Sequence, residues 1–442
     1  MIPKISASEI YSILGNNSSL IPLGIKDVAN SCGLTTASYI AGDKFEGKDR
    51  FIDEFGTQAI WLGGIPAYKY AIDKTIYKHA KLDPKVDVRI LKDKEILKAA
   101  IEFAPTDKIK NSIQNAIQHK NLSKKLSLAK FGLSTAMTAL TYLGLTKFRH
   151  NYTEKQIKKD YFNKKAQEKK LTFIGQSVPF SASFSEVHKD PKKLKDEKIS
   201  FTGLKDFMFD PVKNLMLVDA TITGERLTHA RNPQDLMGYA IKEGSFWLFM
   251  YGAGKMISDA LEKHTEKKYN KSIDLDARVI ESEELKSALS DGTLKKHLKD
   301  FKAADISDVD IYRYSVNPQT ENIVVKMAKI SDILPMLKTS LFKKSDTIVD
   351  TRGYVDLSDL RGVAQKLEKL LGQYENSGEG LDTFISSVRK LKRGSVIKNI
   401  GACIGALGVI APAIMLAVRK FGDDSDYQVK KDIEAKLEKN IA

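Results

Sequence analysis

The most chemistry in a short span of this chain lies between positions 219 and 232, DATITGERLTHARN, where Glu225, Arg226, His229 and Arg231 follow a run of β-branched residues. Polar groups gathered after a strand are a common setting for a site, although a solvated loop has the same composition. The seven histidines (His79, His119, His150, His188, His229, His264 and His297) include no pair spaced to bind a metal from one helix face. Asp305, Asp308 and Asp310 alternate as calcium ligands do, but the glycine and closing glutamate of a calcium loop are missing, so a solvated turn is expected. There is no GxxxxGK phosphate loop, no GxGxxG after a strand and no GxSxG elbow. No catalytic residue, metal ligand or cofactor-binding residue is assigned, and a binding or scaffold role is expected ahead of an enzymatic one.

Among the elements that would position such groups, one stretch dominates. Residues 399–418, NIGACIGALGVIAPAIMLAV, carry no charge, and as a helix they would be about 30 Å long, the thickness of a bilayer's hydrocarbon core. Arg389, Lys390, Lys392, Arg393 and Lys398 precede the stretch without an acidic residue, whereas Arg419 and Lys420 lead into Asp423, Asp424 and Asp426. The positive-inside rule then puts residues 376–398 on the cytoplasmic side of a membrane. Gly401, Gly405, Gly408 and Pro412 share one helix face, whose small residues let another helix come close. Pro412 cannot donate to the Gly408 carbonyl and should bend the rod there. The same letters also suit a buried helix of a soluble core whose small face packs only within its own chain.

A length of 442 residues gives room for roughly two to four domains, and 42 % hydrophobic residues exclude wholesale disorder. The net charge of +15 points to an anionic partner, either phospholipid headgroups or nucleic acid. The cysteines, Cys32 and Cys403, lie far apart and the second sits in the apolar stretch, so neither a structural disulfide nor a cysteine metal site is expected. The N-terminus lacks the uninterrupted apolar core of a secretory signal, which leaves an internal helix to direct any insertion.

Shorter apolar stretches recur upstream. Residues 55–68 are uncharged, but Gly63, Gly64 and Pro66 should break a helix, which suggests an interfacial or re-entrant segment or a buried turn. Residues 131–146 are uncharged between Lys130 and Lys147, whose long side chains would snorkel outward from a span. The run 147–170 follows with nine basic and three acidic residues and interleaved Phe148, Tyr152, Tyr161 and Phe162, suited to anionic lipid, to a phosphate backbone or simply to water. Residues 171–184 and 215–223 look like strands of a small sheet, and 310–316 with 323–330 like a β-hairpin. Residues 282–301 and 357–374 read as amphipathic helices, and NSGEG at 376–380 as a joint. The only two tryptophans head similar strings: Trp61, Leu62, Lys69 and Asp73 match Trp247, Leu248, Lys255 and Asp259 at equal offsets, as a duplicated element or a coincidence would.

These readings combine into a mainly α protein with a smaller α/β (α+β) soluble part and a C-terminal transmembrane helix. Its regions are a helical 1–130, an apolar helix and basic juxtamembrane helix 131–170, a mixed soluble region 171–375 containing apolar residues 244–254, a joint and basic helix 376–398, the span 399–418 and a charged tail 419–442. Trp61, Trp247, Lys130, Lys147, Arg149, Arg393, Lys398 and Arg419 are the expected membrane-interface residues. Anionic lipid and a partner helix, a second copy included, are the expected partners. The alternative is a soluble, basic nucleic-acid-binding protein with a helical core.

Overall fold

Helices form where a capping residue meets an apolar periodicity, and this chain supplies both many times over. Asp43 accepts from the amides of Phe45 and Glu46 at the start of one helix; Thr106, Asn232 and Ser282 cap others, and Ser307 forms a reciprocal capping box with Asp310. The computed structural model describes residues 6–15, 20–104, 106–172, 211–303, 307–317, 319–331, 357–421 and 427–440, and among them it is helical without a strand. In chain order the α-helices are α1 Ala7–Gly15, α2 Leu20–Ala41, α3 Lys44–Ala59, α4 Ile65–Ile72, α5 Lys94–Glu102, α6 Asp107–Gln118 and the long α7 Lys120–Thr172. Then come α8 Pro211–Thr228, α9 Pro233–Phe246, α10 Ala253–Tyr269, α11 Ala277–Glu281, α12 Glu283–Ser290, α13 Thr293–Ala303, α14 Asp308–Val316 and α15 Ile323–Ser331. The last four are α16 Leu357–Ser377, α17 Leu381–Gly405, α18 Ala411–Phe421 and α19 Gln428–Lys439.

Among the described residues the expected α/β part is not there. Residues 215–223 form the middle of α8, with Leu215, Val218, Asp219, Ile222 and Arg226 buried at helical spacing. The expected hairpin is the helix pair α14 and α15, the second burying Ile323, Val324, Val325, Met327 and Ala328. Burying a whole helical face outweighs the β-propensity of valine, isoleucine and threonine. Of the other expected strand, residues 171 and 172 end α7, and 173–184 lie outside the described residues.

π turns join several helices into longer rods. Ile60–Gly64 links α3 to α4, Trp247–Gly252 links α9 to α10, and Ala406–Ile410 links α17 to α18. Gly63, Gly64 and Pro66 thus do not end the helix as expected; Pro66 falls in the first turn of α4, where its missing N–H is tolerated. Among the described residues one helix, Leu381–Lys420, is long and apolar enough to cross a membrane, and only 33 % of its apolar window is buried inside the molecule.

The rods close into a ring in the order α2, α3, α7, α8, α9, α18 and back to α2. Contacts along the rods give their directions. Ser31 and Asp27 of α2 meet Gln58 and Trp61, and Asp49 meets Thr153 while Asp73 meets Lys130, so α3 runs against both α2 and α7. Tyr142 packs with Val218 and Ile222, and Thr146 donates to Glu225, so α7 and α8 run together. Asn399 donates to the Gly254 carbonyl while Leu416 clusters with Ile241, which sets α18 against α9. The ring is therefore two sets of three helices with the same up-down-up order, α2–α3–α7 and α8–α9–α18.

A separate lobe at one end of the ring has an ordinary dry core. Leu275, Val279 and Ile280 pack with Leu285, Leu294, Val324, Met327, Leu360, Leu367, Phe384 and Val388, so residues on both sides of the 376–380 joint share this core. A smaller cluster joins α5 and α6 to Tyr312 of α14. At the other end, Lys44 sits 3.0 Å from Asp160, holds its carboxyl below the usual range and pins the extension of α7 to the start of α3.

Candidate functional site

The ring wears its apolar residues outside and its charges inside. Residues 131–146 and 399–418 carry no charge, and in 20–41, 49–68, 214–228 and 236–254 every charged side chain is buried: Lys26, Asp27, Asp49, Arg50, Asp53, Glu54, Asp219, Glu225, Arg226, Lys242 and Glu243. Facing outward from the same segments are Ile25, Val28, Phe51, Leu62, Leu133, Leu140, Leu143, Leu227, Leu236, Met237, Leu248, Val409 and Ile410, with Leu140 and Val409 each 66 % exposed. None of the exposed large apolar side chains among the described residues falls between 270 and 396, the stretch that holds the lobe.

Inside, the charges form a ladder. Asp53, 1 % exposed, receives Arg149 at 3.2 Å on one oxygen and Arg226 at 3.2 Å on the other, and Tyr142 donates to it. Arg149, 2 % exposed, also donates to the Tyr239 hydroxyl at 2.7 Å and stacks on that ring, with Arg50 over the ring too. Toward the rim near residues 41–44, Arg231 holds Asp49 and Asp235 at 2.7 Å each. Toward the opposite rim, Arg226 pairs with Glu243 at 2.5 Å and Lys242 with Glu54 at 2.8 Å. Such charges are stable away from water only because each has a partner; deleting one side of a buried pair typically costs about 3–5 kcal/mol.

At the lower end of the ladder is a cavity of about 20 Å³, lined by Asp27, Glu54, Asp219, Arg226, Lys242 and Glu243. That is room for about one water molecule. Leu23, Trp61, Leu215, Phe246 and Met250 form an apolar cluster beside it, and Trp61, Leu215, Phe246 and Met250 also line the cavity. Trp61 donates its indole N–H to Asp27 at 3.0 Å, and the Tyr251 hydroxyl donates to Asp219. Among the described residues no cluster of three or more His, Cys, Asp or Glu is arranged to hold a metal.

The structure separates the expected site residues. Glu225 and Arg226 lie not in a loop but on α8, with Arg226 in the ladder, while the His229 side chain is 62 % exposed. Asp310 belongs to a capping box, and Asp305 lies outside the described residues. Of the expected interface residues, Lys147 and Lys398 are exposed, Lys130 pairs with Asp73 at 2.5 Å, and Arg393 with Glu281 at 2.6 Å. Arg149 is not at a surface at all, and Arg419 is buried against Glu46 at 2.6 Å. Both tryptophans stand in π turns and share one apolar cluster, Trp247 donating to Thr223 at 3.0 Å.

The small face of the 399–418 helix is used in part within the chain. A methyl group at Gly33 of α2 would collide with the Gly408 carbonyl oxygen and lie 2.7 Å from Pro412 Cγ, whereas Gly401 and Gly405 have open space. A ladder of buried charges leaves no mark in the uncharged runs of the sequence. The signal was present in α3, where Glu46, Asp49, Arg50, Asp53, Glu54, Thr57, Gln58 and Trp61 recur at steps of three and four with apolar residues between. No protein-family model matches the chain, and no curated protein or solved structure is significantly similar to it.

Proposed function

We propose that the six-helix ring lies in a lipid bilayer and that the protein acts there as a binding and membrane-organising component, with its lobe on the cytoplasmic side. The observation that carries this is the inverted ring: outward faces free of exposed charge, inward faces holding every charged side chain of those segments. Two charged rims bound those faces. Lys130, Asp73, Lys255 and Lys398 mark one, and Lys48, Lys147, Arg231 and Lys420 the other. From Lys130 to Lys147 along α7, and from Lys398 to Lys420 along the rod of α17 and α18, the rims stand roughly 25–33 Å apart at 1.5 Å per residue, which matches a hydrocarbon core of about 30 Å. The basic run 389–398 would face anionic headgroups on the cytoplasmic side, and the open space at Gly401 and Gly405 is where a partner helix, a second copy included, would approach. Extraction of membranes with alkaline carbonate tests the placement: the full chain should stay in the pellet, and its release to the supernatant would overturn the reading.

One feature favours a nucleic-acid partner instead. The end of α7 projects past the ring with Lys155, Lys159, Lys164 and Phe162 exposed. That reading predicts binding to single strands whose log affinity falls steeply with log salt, and undetectable or salt-insensitive binding ends it.

A further inference from the structure

Beyond the rim at Asp73 and Lys130, residues 74–130 carry fourteen basic and six acidic side chains. The rod that begins at α4 turns back there, and the turn packs on α6. Between them is an open cleft of about 720 Å³, lined by Lys81 and Asp83 from the turn and by Lys108, Asn111, Ser112 and Asn115 from one face of α6. Hydrogen bonds fix its walls: Asn115 Nδ2 donates to the Lys81 carbonyl at 2.8 Å, and the Ser112 hydroxyl donates to Asp83 at 3.0 Å. The other Asp83 oxygen accepts from the Lys85 amide at 3.0 Å, so this carboxylate is engaged within the wall.

The two lysines are not engaged. Lys81 and Lys108, one from each wall, are exposed and form no ion pair among the described residues. Lys81 has a φ of 55°, in the left-handed region that favours glycine, so a lysine holds this turn against the preference of the backbone. The depth of the cleft follows from its floor. Leu82, 6 % exposed, also lines it and clusters with Ile72, Tyr77 and Leu126. Leu126 lies on α7 one turn beyond Lys130, roughly 6 Å past the rim at 1.5 Å per residue. Headgroups add about 10–15 Å in all to a hydrocarbon core of about 30 Å, so each headgroup layer is about that deep. With the bilayer placed as proposed above, on which this step rests, the cleft stands level with the lipid phosphates on the lobe's side. Lys78 and Lys125 are exposed at the same depth.

We propose that this cleft binds the headgroup of an anionic phospholipid that ends in a phosphomonoester, with Lys81 and Lys108 as counter-charges and the Asn111 amide as a further donor. A phosphomonoester carries a charge of about −1.5 to −2 at neutral pH, which two lysines match; a choline headgroup brings its own cation and leaves them unneutralised. The volume is that of a pocket for a small organic ligand and exceeds what a lone phosphate fills. The cytoplasmic leaflet, where the positive-inside rule puts this rim, is the one that holds anionic lipid.

The test uses the full-length protein purified in detergent and titrated with phosphatidic acid or phosphatidylcholine, the bound lipid being counted by native mass spectrometry. One phosphatidic acid should be retained per chain at concentrations where phosphatidylcholine is not. In the double variant Lys81→Gln, Lys108→Gln the affinity should fall about tenfold or more. The double variant Lys263→Gln, Lys267→Gln removes the same charge from exposed lysines of α10 and should bind as the unaltered protein does. Lys81→Gly separates the site from the fold: glycine suits the positive φ, so the unfolding midpoint should hold or rise while the affinity falls. Equal retention of the two lipids, an equal loss in the two double variants, or glycerol 3-phosphate bound as tightly as the lipid overturns the proposal. Protein that stays in carbonate-washed membranes yet does not distinguish the lipids refutes the site alone; protein that prefers phosphatidic acid in micelles but washes off membranes refutes the bilayer placement alone.

Discussion

Asp53 is the residue on which most of the ring's interior converges, with guanidinium groups from α7 and α8 on its two oxygens. Asp53→Ala would leave Arg149 and Arg226 without one of their counter-charges, and the expected loss is about 3–5 kcal/mol, read as a lowered unfolding midpoint in detergent. The exposed pair Lys98–Glu95 is the control, since such surface pairs contribute about 0–1 kcal/mol and Lys98→Ala should change little. Sequence composition hides this difference. Lys147 and Arg149 stand in one basic run, but two positions along a helix are about 200° apart, so one points to solvent and the other inward. A count of charges is blind to that angle; periodicity along α3 is not, because its charges repeat at three and four while Phe51, Ile52 and Phe55 occupy the other face. The buried ladder was legible in part, on α3, and not on α7.

Between helices, the tightest joint is the crossing of α2 and the 399–418 rod at Gly33, Gly408 and Pro412. Gly33→Val inserts bulk against a backbone carbonyl that cannot swing away, at an expected cost of about 1–3 kcal/mol, whereas Gly401→Val meets open space and should leave the unfolding midpoint in place. An equal loss from both substitutions would show that the crossing does not hold the ring together. The apolar rod and its small face are readable from sequence, since length and absence of charge depend on no other part of the chain. The partner of that face, α2, is not: Lys26 and Asp27 interrupt its apolar run, and only their burial reveals a helix of the same kind. The mistaken strands share this cause, for β-branched residues such as Val218 and Ile222 are decided by the surface they face.

At the scale of the molecule, a ring with an oily exterior and a separate lobe with a dry core are what the proposed division of the chain between lipid and water requires. Cys32 tests this division because it faces outward from α2, close to the crossing with Gly408, while Cys403 is buried. A charged, water-soluble maleimide should fail to label Cys32 in open membrane fragments and label it after denaturation in SDS; fast labelling in the native membrane would put water against α2 and remove the bilayer. Two of the six rods, at 131–146 and 399–418, stand out in the sequence as uncharged runs, whereas the other four turn their charges inward and so fail any count of uncharged residues. The π turns bear on how such a body moves. Each carries one surplus residue, and passing that surplus along by a turn rotates the side chains it crosses by about 100° without unfolding the rod. Trp61 and Trp247 both stand on such turns, against the same cluster. The greasy stopper beside the cavity is thus mounted on swivels, and amide exchange at 60–64 and 247–252 should run faster than in the flanking turns if they pivot.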